Sequence, residues 1–139
     1  MFYGVDNSSK MIEQSESLSK IYKNVQLRKS RVEELPFGSE YFDVIISSNA
    51  FHHFSNPEKA LSEATRVLKP GGKLYILDTT ADNIFVRTVD RMSHGLEEAH
   101  IKLYSTKEFQ KLFEKAGLSY IGTKPVFSAI KVHIATKPE

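Results

Sequence analysis

At 139 residues, the chain has room for one domain with its own core and not for two, and a composition of 40% hydrophobic and 26% charged residues excludes disorder and a collagen-like repeat. Nineteen basic against seventeen acidic residues leave a net charge of +2, with no run of five like charges to serve a nucleic acid or a lipid surface. Cysteine is absent, which removes disulfides and thiolate metal sites, and no stretch approaches the roughly 20 apolar residues of a membrane span, so a cytosolic protein is expected.

The opening MFYGV reads as a short apolar strand. Met11, Ile12, Leu18, Ile21, Tyr22 and Val25 follow at mostly helical spacings, which predicts a helix with one buried stripe. VQLRKS is a weaker strand and ELPFGSE a turn. YFDVIISS carries the unbroken run Val44, Ile45, Ile46, as expected of a strand buried on both faces at the centre of a sheet. In SNPEKALSEATRVL, Ser55 or Asn56 caps a helix whose first residue is Pro57 and whose inner stripe is Ala60, Leu61, Ala64, Val67 and Leu68. KPGG stops it, because proline cannot continue a helix and glycine can turn the chain.

KLYILD is a further buried strand, and Ile84, Phe85, Val89 and Met92 predict a helix in DNIFVRTVDRM. STKEFQKLFEKAG carries a capping box in Ser105 and Glu108, a stripe of Phe109, Leu112, Phe113 and Ala116, and a closing Gly117. The tail, LSYIGTKPV then SAIKVHIAT, alternates Ile130, Val132 and Ile134 against Lys131 and His133, as a hairpin at a sheet edge would.

This alternation predicts a single Rossmann-like α/β domain over 1–139, a mostly parallel sheet with helices on both faces and a C-terminal antiparallel hairpin. Ligands of such sheets bind outside the carboxyl ends of the strands, here Asp6, Ser30 to Val32, Ser47 to Ala50 and Asp78 to Thr80. A carboxylate at the first of these can accept two hydrogen bonds from a ribose diol, or it can cap the helix that starts near Ser8 or Ser9. His52 and His53 are candidates for a general base at the mouth of the site. Their alternative role is to pack the turn, since no carboxylate is placed by sequence to orient either ring. No metal site is expected: five histidines without cysteine form no ligating motif.

Three stretches, YGVDNSSKMI, VEELPFGSEYFDVIISSNAFHHF and EATRVLKPGGKLYILD, resemble in order and spacing the class I methyltransferases that use S-adenosylmethionine, above all the small-molecule branch typified by the ubiquinone and menaquinone biosynthesis enzymes. The resemblance implies that Asp6 binds the ribose hydroxyls, with Asn7 and Met11 alongside the cofactor. It places Leu35 to Phe37 near the adenine, where the Val32 amide meets a ring nitrogen, and Ser48, Asn49 and Ala50 along the methionine part and the methyl group. His94 and His100 fall in the segment that covers the substrate in the family.

Two departures stand out. Arg31 occupies the place of an aspartate that accepts a hydrogen bond from the adenine amino group; arginine can only donate, though its plane can stack on the base. The family's first strand and glycine-rich loop are also missing, and that strand would lie between the strand of Asp6 and the strand of Asp43. The gap leaves unpaired edges to be satisfied by a shifted MFYGV, by a second copy of the chain or by another polypeptide, so a dimer or a rearranged sheet is expected. The implied function is methyl transfer from S-adenosylmethionine to a small-molecule acceptor, by an enzyme or a fragment of one. The alternative is a non-catalytic binding or partner module, or an inactive remnant. A nicotinamide-dependent oxidoreductase shares the ribose aspartate but leaves LPF and KPGG without a role.

Overall fold

Short polar side chains set where the helices begin, and a computed structural model describing residues 1–82 and 102–139 shows each of them in place. Ser8 Oγ accepts the Met11 N–H at the start of α1 (Ser9–Ser19). Asn56 Oδ1 accepts the Lys59 N–H at 3.0 Å before Pro57, the first residue of α2 (Pro57–Val67). Ser105 and Glu108 complete a reciprocal capping box at α3 (Thr106–Lys115). The helix expected around Ile84 to Met92, together with His94 and His100, lies outside the described residues, as does the Leu18 side chain.

The strands are β1 (Phe2–Asp6), β2 (Val25–Lys29), β3 (Phe42–Ser48), β4 (Leu68–Thr79), β5 (Ser119–Phe127) and β6 (Ile130–Thr136). They form an α/β architecture in two sheets. β1 and β2 pair in parallel, Phe2 opposite Val25 through Asp6 opposite Lys29. The Leu27 side chain of β2 lies over residue 4, which is glycine: a Cβ there would fall 2.6 Å from Leu27 Cδ2. The second sheet has the order β3-β4-β6-β5, with β3 parallel to β4 and β6 antiparallel to both its neighbours. The parallel strands and the C-terminal hairpin are those expected from the sequence. No helix among the described residues is long and apolar enough to cross a membrane.

The core lies where α2 and α3 cover the larger sheet. Leu61, Ala64, Leu68, Leu74, Ile76, Phe109, Phe113 and Ala135 are buried there, with Phe51 and Tyr104 closing one side. β4 is the strand that fits the description of a buried centre. β3 is not, contrary to its unbroken apolar run: Val44 is 49% and Ile46 73% exposed, because β3 pairs only with β4 among the described residues and one of its faces is uncovered.

Three further expectations are corrected. MFYGV does not shift into a central slot or rearrange the sheet; as β1 it pairs with β2 alone among the described residues. The stripe after it is poorly buried, since α1 ends at Ser19 and covers a sheet of only two strands, leaving Met11, Ile21 and Tyr22 exposed. In β6 the fully buried side chains are His133 and Ala135 rather than the isoleucines and valine, because the His133 face meets Phe109 of α3; the hairpin itself lies at the sheet edge as expected, with β5 outermost.

What joins the two sheets is aromatic. Tyr3 of β1 packs edge-on against Phe37, Tyr41 and Phe42, with ring centroids 5.3 to 5.7 Å apart, and its hydroxyl meets that of Tyr41 at 2.9 Å. The Arg28 guanidinium lies over Tyr3 and Phe37.

Candidate functional site

Parallel pairing places the carboxyl ends of β1 and β2 together. There, the main chain of Ser30 donates to the Asp6 carbonyl at 3.0 Å. Asp6 Oδ1 accepts the Ser8 N–H at 2.7 Å, which makes a turn of Asp6, Asn7 and Ser8, while the N-cap itself is Ser8. Asp6 is therefore not the cap of the helix, and the turn uses only one of its carboxylate oxygens. Its second oxygen takes no hydrogen bond from the described residues and remains an acceptor for a hydroxyl. Asn7 and Met11 are exposed beside it.

The loop after β2 carries the residues expected on the adenine side. Arg31 pairs with Glu33 at 3.4 Å and stays largely exposed. The Val32 N–H donates to no acceptor among the described residues, as a contact with a ring nitrogen would require. The following Leu35–Phe37 stretch is held from α2: Glu63 Oε2 accepts the Leu35 N–H at 2.8 Å, and Arg66 donates to the carbonyls of Leu35 and Phe37. Arg66 hydrogen-bonds Glu63 and keeps that carboxyl below its ordinary range, against the opposing effect of burial and with help from the Leu35 amide.

The carboxyl end of β3 and β4 forms a second group. Asn49 adopts a left-handed backbone at φ 49°, and its N–H reaches the Leu77 carbonyl at 2.8 Å, so the chain turns sharply after Ser48 and presents Ser48, Asn49 and Ala50 at the strand end. A 3-10 turn, Phe51–His53, follows. Phe51 anchors it in the core, and His52 and His53 stand on its outer side with ring centroids 4.1 Å apart.

Sequence reasoning missed the partner of His52. The Asp78 carboxylate, 1% exposed, meets His52 Nδ1 at 2.5 Å and accepts the His52 main-chain N–H at 3.0 Å. The ring thus has an orienting carboxylate after all, whereas His53 is exposed and has none among the described residues. The signal was in the strand ends: in a parallel register with Ser48 opposite Leu77, the next residue of β4 is Asp78, beside the turn that follows Ser48. No hydrogen bond or ion pair among the described residues joins the Asp6 group to the Ser48 and His52 group; the aromatic cluster at the opposite strand ends is what couples their sheets.

Comparison with known proteins gives this arrangement a context. A family model described as "Methyltransferase domain" matches residues 1–76. The chain is 33% identical over 121 residues to the uncharacterized methyltransferase YcgJ of Bacillus subtilis (strain 168), covering 84% of this chain and 48% of that protein. It is 29% identical over 139 residues to a demethylmenaquinone methyltransferase of Bacillus cereus (strain AH187), covering 84% of this chain and 58% of that protein. The chain thus spans about half the length of the curated relatives it matches. In fold it superposes on the crystal structure of YcgJ with a TM-score of 0.82 at 23% identity, covering 99% of this chain and 82% of the other. A SAM-dependent methyltransferase from Methanosarcina mazei gives 0.83 at 17% identity, with 98% and 81% covered.

Proposed function

The chain belongs to the methyltransferase domain family, whose implied cofactor is S-adenosylmethionine, and from that premise we propose that it forms the ribose, adenine and methionine sides of a site for methyl transfer to a small organic acceptor. The observation that carries the reading is the state of Asp6. One of its oxygens is fixed by the Ser8 amide at 2.7 Å, and the other is open at the carboxyl end of β1, where a vicinal diol is bound in sheets of this kind. The open Val32 N–H supports an adenine contact, and the left-handed turn at Asn49 supports a role for Ser48, Asn49 and Ala50 along the methionine chain. Asn7, Met11 and Arg31 flank these positions. Bound there, the sulfonium supplies an activated methyl group, so what the protein has to add is alignment of a nucleophile with it.

A second reading has an observation of its own. β1 and β3 each have an edge unpaired among the described residues, and Val44 and Ile46 are exposed on β3. Such edges recruit another strand. A homodimer that completes the sheet, or a partner polypeptide, is the occupant under this reading, and the chain alone is then a partner module rather than an enzyme. Under either reading we propose a cytoplasmic location, as suits a chain without cysteine, and no nucleic-acid partner, as suits its near-neutral charge. Equilibrium dialysis against labelled S-adenosylmethionine separates the readings: retained label at micromolar to millimolar cofactor supports the first, and none retained favours the second.

A further inference from the structure

The pair His52 and Asp78 has more order than a packed turn requires. Asp78 is almost wholly buried, and its two oxygens receive three donors: the His52 N–H at 3.0 Å, the Thr79 N–H at 2.8 Å and the His52 ring at 2.5 Å. A carboxylate only accepts, so His52 Nδ1 carries a proton, and in the neutral ring Nε2 is the nitrogen with the lone pair. That second nitrogen has no partner among the described residues, yet the side chain remains 17% exposed, and Nε2 is not among the sealed polar atoms of the interior. The main chain of Lys102 donates to the His52 carbonyl at 3.1 Å, so the turn is held from two sides. It stands at the carboxyl end of β3 and β4, immediately after Ser48 to Ala50.

We propose that His52 is the general base of the transfer, held in its working tautomer by Asp78, and that the acceptor is a hydroxyl group still protonated near neutral pH. The inference rests on the methyl-transfer reading above. In the step, the hydroxyl proton passes to His52 Nε2, and the oxygen forms its bond to the methyl carbon. The carbon–sulfur bond of the sulfonium breaks with its electron pair retained by sulfur, leaving a neutral thioether. Asp78 balances the imidazolium that results, and the proton leaves to solvent through the exposed edge of the ring. An oriented base is what a hydroxyl needs. A thiol ionises unaided close to neutrality, and an aliphatic amine, protonated there, gives its proton to water before its lone pair attacks.

The experiment uses the whole chain in three forms, wild type, His52→Gln and Asp78→Asn, each confirmed folded by its thermal transition. Calorimetry with S-adenosylhomocysteine is expected to be the same for all three, and its failure in wild type counts against the proposed function alone. Carbethoxylation by diethyl pyrocarbonate, mapped by mass spectrometry, reads the free Nε2 without any cofactor. Faster labelling of His52 in wild type than in Asp78→Asn is expected, and equal rates overturn the dyad whether or not the cofactor binds. Methyl transfer is then followed with catechol, benzylamine and thiophenol as probes. Transfer to catechol that falls about 100-fold in His52→Gln is expected. Equal transfer by both forms, a preference for the amine or thiol, or no transfer by a chain that binds S-adenosylhomocysteine overturns it.

Discussion

His133 offers a quantitative test of the packing. It is fully buried in β6, its ring stacked on Phe109 at 3.9 Å; Nδ1 meets Thr123 Oγ1 at 3.0 Å, and Nε2 has no hydrogen-bond partner among the described residues. Burial pushes its pKa down to about 4, outweighing the attraction of Asp82 and Asp78, while Lys131 adds to the depression. An imidazole that resists protonation in the folded state costs stability in acid. Above pH 6.5 both states are neutral there; as pH falls from 6.5 toward 4 the unfolded chain binds a proton that the folded one refuses. At 1.36 kcal/mol per unit, the loss reaches about 2 kcal/mol at pH 5. His133→Leu removes the titration and keeps an apolar side chain of similar size. Urea unfolding followed by tyrosine fluorescence at pH 7 and pH 5 is therefore expected to show a pH-dependent loss smaller by about 2 kcal/mol in the variant. The same loss in both proteins would refute the reasoning, since the other titrating groups are common to the two.

Asp82 works at the acid end. Burial alone would raise its carboxyl, but Lys131 and the two donors of Thr106 outweigh that and leave it at about 2. Stability present above pH 3.8 is lost as pH falls toward 2, and Lys131→Met should flatten that limb in acid unfolding curves; an unchanged limb contradicts the assignment. Glu63→Ala frees the Leu35 amide and breaks the pair with Arg66, at a cost of about 1 kcal/mol after allowance for its partial exposure. Hydrogen exchange at Leu35 should quicken, and continued protection would mean that another group holds the loop. Ile46→Lys should leave the melting temperature nearly unchanged, because the side chain is exposed. In sedimentation equilibrium it should abolish self-association if β3 is the edge through which copies pair, and persistent association would exclude that edge.

The elements that the sequence made legible are those whose information is local. Asn56 before Pro57, and the Ser105 and Glu108 box, mark helix starts through bonds within four residues. Asp6 could likewise be placed at a strand end, because the apolar MFYGV before it and the polar run after it fix the boundary. What stayed illegible depends on which strands are neighbours. Val44 and Ile46 are as apolar as a central strand demands, yet their burial needs a covering layer that no local pattern can report. His133 is the inverse case: its polar ring occupies the inner face of β6 because Phe109 of α3 and Thr123 of β5 are there to receive it, contacts set by strand register and helix packing. Asp78 was visible as a strand end, but its bond to His52 follows only from the register of β3 on β4.

Binding of the cofactor through Asp6 is tested by isothermal calorimetry with S-adenosylhomocysteine in wild type and Asp6→Asn. The amide keeps an acceptor for the Ser8 N–H but loses the charge that strengthens hydrogen bonds from a ribose diol. Measurable binding by wild type, weakened about 10-fold or more in Asp6→Asn, is the predicted result. Binding of equal strength in both, or none in wild type at millimolar ligand, would contradict it.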